Sequence, residues 1–216
     1  MGLTLGISTS SAQFEVILGD KSNIVFSSQN DLFVDNTRDI ALLVSEGIAK
    51  LGATPADIKN IIVDIGPGGT SLVRTGVAFA NGFAYALKIP VCPVSSVELM
   101  GLEASVTISL PVLCTVKSIK DTAYVALYSG KLLKLKYGIL KDVVKEMAAD
   151  LEEFIVAGAH RAQLIELFSD KKVHDSGVQF ANAKFLIEKS DLFQDRAVTF
   201  PLFAHPITEQ SIFVWF

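Results

Sequence analysis

The run from Ile61 to Leu87, IIVDIGPGGTSLVRTGVAFANGFAYAL, constrains the fold more than any other stretch of the chain. Ile61 to Ile65 is a nearly continuous apolar run, of the kind buried on both faces of a sheet. Gly66-Pro67-Gly68-Gly69 then breaks it. Three glycines around a proline allow a sharp turn and a close backbone approach, and they present N–H groups at the start of the helix that follows, where anions are favoured. From Ser71 to Leu87 the apolar residues Leu72, Val73, Val77, Phe79, Phe83 and Leu87 spread around most of a helix, interrupted by Arg74, Asn81 and Tyr85. Such a helix is covered on more than one side. Gly76, Ala80 and Ala84 form one small-residue stripe and Ala78, Gly82 and Ala86 another, so one face is expected to pack on the sheet and the other to meet a partner.

The glycine turn fits no phosphate-loop template well. A Walker A loop needs a Lys that is absent, and as GxGxxG the stretch Gly66-Pro67-Gly68-Gly69-Thr70-Ser71 ends in Ser. A plain tight turn and an anion or nucleotide contact are equally open at this point. Asp64, just before the turn, is the carboxylate placed to act on anything bound there, or else to cap the turn's own N–H groups.

Ahead of this unit, Leu3 to Ser8, Gln13 to Leu18 and Asn23 to Phe26 read as a three-stranded meander, with a hydroxyl-rich turn at Thr9-Ser10-Ser11-Ala12. From Thr37 to Leu51, Ile40, Leu43, Val44, Gly47, Ile48 and Leu51 share one helical face, and the reverse face of Ala41, Leu42, Ser45 and Ala49 is small and weakly polar. Gly52 is placed to end this helix. Ile89 to Val94 is a further strand, and Ser95 with Glu98 forms a capping box for a short helix through Ala104. The order βββαβαβα predicts an α/β lobe over residues 1–104. Over 105–216 a smaller, degenerate second lobe is expected. Its strands are Leu110 to Val116, Ala123 to Tyr128 and Leu132 to Tyr137, its helices Leu140 to Phe154, Ala159 to Phe168 and Phe180 to Glu188, with Lys172 to Asp175 a strand or turn. The apolar end SIFVWF is expected to pack on its own lobe, a dimer mate or further sequence.

Composition narrows the function. Half the residues are apolar and the mean hydropathy is +0.44, which leaves apolar surface for a partner once a core is filled. No window reaches the roughly 18 uninterrupted apolar residues of a membrane span. The start, MGLTLGISTSS, has no basic leader, and Gly6 stands where a myristoylation motif needs Ser or Thr, which predicts a cytoplasmic protein. Cys92 and Cys114 sit in apolar runs as buried thiols, and His160, His174 and His205 form no ligand pair, so no metal site is expected. A net charge of −4 argues against independent nucleic-acid binding and places any tRNA role behind a partner.

Several stretches resemble the TsaB family, also called YeaZ, the bacterial partner of the tRNA threonylcarbamoyl transferase TsaD, over about residues 3 to 104. Ser8-Thr9-Ser10 matches the family's Asp-Thr-Ser with Ser for Asp; Gly66-Pro67-Gly68 and Arg74-Thr75-Gly76 match its Gly-Pro-Gly-Ser-Phe-Thr-Gly-Leu-Arg-Ile-Gly; Ile89-Pro90-Val91 and Ser95-Ser96-Val97-Glu98 match its Gly-Ile-Pro-Val and Ser-Ser-Leu-Glu. Arg38-Asp39-Ile40 replaces His-Ser-Glu, Leu72 replaces a glycine, and Lys117-Ser118-Ile119 replaces Asp-Ala-Arg. The resemblance implies a ribonuclease H-like first lobe within the actin-like ATPase and sugar-kinase fold. It also implies a non-catalytic scaffold, with no catalytic residue and no cofactor of its own, supporting a TsaD-like transferase in threonylcarbamoylation of adenosine 37 of tRNA. A TsaE-like ATPase is a further candidate partner, and a homodimer is expected in isolation. The implied partner interface comprises Leu42, Ser45, Ala49, Leu72, Thr75, Gly76, Phe79, Ala80 and Phe83, and Gly66, Gly68, Gly69 and Arg74 are the candidates to touch ATP or ADP at a subunit junction. The alternatives are an ATPase-, kinase- or peptidase-like enzyme of the same superfold, or a plain homodimeric binding protein.

Overall fold

The computed structural model describes residues 2–11, 14–30 and 37–209. Packing divides the described residues into two units, one within residues 2–95 together with 183–206 and one of residues 96–182 with 207–209.

In the first unit five strands form one sheet: β1 (Leu3–Ser8), β2 (Glu15–Asp20), β3 (Asn23–Ser27), β4 (Ile58–Asp64) and β5 (Val91–Val94), in the order β3-β2-β1-β4-β5. β1 is central and wholly buried, antiparallel to β2 and parallel to β4. Helices α1 (Ile40–Lys50) and α2 (Thr70–Leu87) pack on β2 and on β1 and β4 respectively. A Cβ on Gly47 of α1 would lie 2.7 Å from the Phe26 ring and 3.0 Å from Leu18, whereas one on Gly19 would collide with Ile187. Leu18 and Gly19 are neighbours in β2 and point to opposite faces, so Ile187 and α1 cover the sheet from opposite sides.

The second unit repeats this plan. Its strands β6 (Val112–Lys117), β7 (Thr122–Tyr128), β8 (Leu132–Ile139), β9 (Glu153–Gly158) and β10 (Lys172–Asp175) run in the order β10-β9-β6-β7-β8. β6 is antiparallel to β7 and parallel to β9, as β1 is to β2 and β4. Helices α4 (Leu140–Met147) and α5 (Arg161–Leu167) bury Leu140, Val143, Val144 and Leu164 against Leu113, Val125, Phe154 and Val156. Helix α3 (Ser96–Ala104) approaches the other face so closely that a Cβ on Gly101 would collide with Tyr128.

Three differences from the sequence reading have physical reasons. The helix expected from Leu140 to Phe154 ends at Met147, and Glu153–Gly158 is a buried parallel strand between β6 and β10. The apolar residues of EFIVAG prolong the helical period, but an open ladder beside β6 outweighs it, and Lys171 Nζ closes the turn by donating to the carbonyls of Ala148, Ala149 and Leu151. Of the helix expected from Phe180 to Glu188 only α6 (Phe185–Glu188) forms, and it lies with residues 183–206 on the first sheet. A division after residue 104 assigns α3 to the first lobe, whereas its contacts are with β6, β7, β8 and β9. Gln13 and the apolar end SIFVWF lie outside the described residues.

Gly76 offers a direct check of how α2 sits. A Cβ there would collide with the Thr9 side chain, and Gly76→Val is expected to destabilise the protein by about 3 kcal/mol in urea unfolding, with Gly82→Val near neutral.

Candidate docking face and glycine turn

The glycine turn is closed by the chain itself. Asp64, at the end of β4, is completely buried, and its Oδ1 accepts from the Gly66 N–H at 2.9 Å. Its Oδ2 accepts the Ser8 hydroxyl at 2.9 Å and the Ser10 hydroxyl at 2.5 Å. Ser8 thus stands as a neutral donor where an aspartate would set two carboxylates side by side. Gly66 has φ +86°, in the left-handed region that favours glycine, and a Cβ on Gly68 would lie 2.5 Å from the Ser10 carbonyl oxygen. The Gly69 N–H points back to that same oxygen at 3.4 Å, and Thr9 Oγ1 donates to the Leu72 carbonyl at 2.8 Å. Of the candidate nucleotide contacts, Gly66 and Gly69 therefore direct their N–H groups to the chain's own acceptors, Gly68 is pressed on Ser10, and Arg74 is exposed. Asp64 acts as the cap of the turn.

A second buried carboxylate, Glu15, opens β2. Burial raises the Glu15 carboxyl above its ordinary value of 4.5, opposed by the Ser27 hydroxyl and the Lys184 cation. Since the folded state holds this proton more tightly, the associated stability is full below 4.5 and is lost as pH rises through the raised value. Glu15→Gln is expected to flatten that loss, so that the variant gains on the wild type between pH 4.5 and pH 8 in thermal unfolding.

The outward surface of α1 and α2 has different chemistry. Leu42, Ser45 and Ala49 on α1 and Thr75 on α2 are exposed, while Leu72, Phe79 and Phe83 are half-buried along one flank of α2. Phe79 and Phe83 stack at 5.5 Å between ring centroids. Gly76 and Ala80, expected at the interface, face the sheet instead and are buried, because the stripe that includes them is the one that packs on β1 and Thr9. The outward stripe is Ala78, Gly82 and Ala86, all exposed. Both stripes are visible in the sequence, but only the position of Thr9 distinguishes them. Hydroxyls on this surface are already satisfied: Ser45 Oγ donates to the Leu42 carbonyl and Thr75 Oγ1 to the Ser71 carbonyl, each at 2.8 Å. Arg38, Asp39, Ile40, Ala41, Thr75 and Phe79 line a shallow groove of about 510 Å³ between the start of α1 and α2.

No group of His, Cys, Asp and Glu among the described residues is arranged to hold a metal ion, and no described helix is long and apolar enough to cross a membrane.

Two sheets of matching strand order, each with its first strand central, define a two-unit α/β protein in which one plan is built twice. The chain belongs to the TsaD family, described as tRNA N6-adenosine threonylcarbamoyltransferase, whose model matches residues 36–204. The resemblance to TsaB is confirmed as well. The tRNA threonylcarbamoyladenosine biosynthesis protein TsaB of Bacillus subtilis is 32% identical over 101 residues, covering 47% of this chain and 42% of that protein. A tRNA N6-adenosine threonylcarbamoyltransferase of Pelodictyon phaeoclathratiforme is 36% identical over 64 residues, 30% of this chain and 18% of that enzyme. The matched segments thus span less than half the length of these curated relatives. The structure of YeaZ from Pseudomonas aeruginosa superposes with a TM-score of 0.74 at 18% identity, covering 96% of this chain and 100% of that one, and shows the shared fold.

Proposed function

We propose that this protein is a non-catalytic subunit that docks a TsaD-like transferase through the outward surface of α1 and α2 and supports threonylcarbamoylation of adenosine 37 of tRNA. One observation carries this reading: the Ala78, Gly82 and Ala86 ridge is exposed on an ordered helix beside half-buried Phe79 and Phe83. Small side chains let a partner backbone approach closely. The neighbouring hydroxyls of Ser45 and Thr75 are bonded within their own helices, so covering them costs little desolvation. Two adjacent helices can supply the roughly 800 Å² per side of a standard interface.

The glycine turn supports the same reading from the other direction. With Asp64 bound to three donors and Ser10 seated against Gly68, the turn sets the angle at which α2 leaves the sheet. A nucleotide at a subunit junction would be held chiefly by the partner. Any tRNA contact is likewise made through the transferase.

The experiment is co-expression with the TsaD-like subunit of the same genome, followed by size-exclusion chromatography and nucleoside analysis of tRNA. A mixed complex is expected, together with loss of threonylcarbamoyladenosine when this protein is depleted. A homodimer that persists with no mixed complex, or unchanged modified nucleoside on depletion, overturns the proposal.

A further inference from the structure

We infer that the partner covering the α1 and α2 surface presents carboxylates to Arg38 and Arg74, and that these two guanidiniums fix its register. The inference rests on the docking surface proposed above and adds the chemistry of its occupant.

The chain has four arginines. Arg161 is committed internally: its Nε meets Asp175 Oδ1 at 2.7 Å, and its Nη1 donates to the carbonyls of Gly158 and Val178 at 2.9 Å. Arg196 lies over the Phe193 ring at 5.5 Å. Arg38 and Arg74 are exposed, and no hydrogen bond or ion pair ties either of them to another described residue. Both belong to the same end of the same surface. Arg38 stands two residues before α1 and lines the groove shared with Thr75 and Phe79. Arg74 precedes Ala78 by four residues on α2, so it stands one turn ahead of Ala78 in the same row as Gly82 and Ala86. Two cations with no partner among the described residues therefore stand where the ridge begins.

Among the described residues no acid pairs with them. Asp39 accepts the Leu42 N–H at 3.1 Å as the cap of α1, and its carboxylate is engaged by that helix end. A chain with a net charge of −4 thus presents two guanidiniums that no described residue pairs beside the exposed small residues Ala78, Gly82 and Ala86. Arginine suits this position because its planar fork pairs bidentately with a carboxylate and it sheds water more readily than lysine, properties that enrich it among the residues that dominate binding energy. Among the described residues, a second copy of this chain offers the same end two more arginines and a capped aspartate. Charge complementarity therefore selects a different protein, one whose docking helix carries acidic side chains flanking small or apolar ones.

The test measures affinity for the co-purified TsaD-like subunit at low and high salt, for wild type, for the Arg38→Glu/Arg74→Glu double variant and for the Arg38→Lys/Arg74→Lys double variant. Charge reversal is expected to weaken binding about 100-fold or more and to invert the salt dependence, since salt then screens a repulsion, and the lysine pair to weaken it about tenfold, with thermal midpoints unchanged. Binding of the reversed variant within threefold of wild type, while Gly82→Trp abolishes the complex, overturns this inference and leaves the docking surface standing. If Gly82→Trp also binds as wild type does, the docking surface itself is refuted.

Discussion

Asp64→Ala is expected to lower the stability of the protein by about 3 kcal/mol or more. The carboxylate is completely buried, and three donors converge on it: the Gly66 N–H and the hydroxyls of Ser8 and Ser10. Removing it orphans a backbone N–H in a dry site and leaves two hydroxyls to find new acceptors, each unsatisfied group costing about 1–3 kcal/mol. Asp64→Asn keeps an acceptor for Gly66, and the hydroxyls can rotate to accept from its amide, so its cost should be near 1 kcal/mol, the usual net worth of a hydrogen bond. Urea unfolding of the two variants separates these outcomes. A loss below about 1 kcal/mol for Asp64→Ala would show that the turn does not depend on the cap.

Gly82→Trp is expected to reduce affinity for a TsaD-like subunit at least about 100-fold while leaving the fold intact. Gly82 is exposed on α2, and nothing lies within 4 Å of a Cβ built there. The substitution therefore meets no neighbour in the protein itself, and replacing a helix-interior glycine should add a few tenths of a kcal/mol to stability. Its large ring would hold a partner backbone away from the ridge formed with Ala78 and Ala86. Gly82→Ala, smaller by most of that ring, should bind within about tenfold of wild type. Size-exclusion chromatography and calorimetry on the co-expressed pair provide the readout, and an undiminished complex with Gly82→Trp would place the interface elsewhere. The two predictions are complementary. Asp64 holds the angle of α2 from beneath, and Gly82 governs what can lie on top of it.

These residues also mark where sequence reading stops. The amphipathic pattern of Ile40, Leu43, Val44, Gly47 and Ile48 gave the inward face of α1, because a period of 3.6 specifies which residues share a side. The same reasoning failed at Glu153–Gly158, where a short apolar run suits a helix or a buried strand and only the neighbours β6 and β10 decide. It failed again on α2, whose two small-residue stripes are nearly equivalent as sequence. Thr9, far off in the chain, occupies the space at Gly76 and thereby sends Gly76 and Ala80 inward and Gly82 outward. Asp64 as the cap of the glycine turn was one of two open readings. The approach of Ser8 and Ser10 selected it.

By itself, the sequence determined the strand, glycine turn and helix at the centre of the first unit, the meander before it, the resemblance to TsaB and the surplus of apolar surface, since all of these follow from local pattern and composition. The tertiary structure decided that the second unit repeats the first, that the turn is filled by its own chain, and which side of α2 remains open. Those are questions of what lies next to what, and the relevant neighbours, Ser10 and Thr9 on one side of the chain and residues 54 or more positions later on the other, meet only when the sheet has formed.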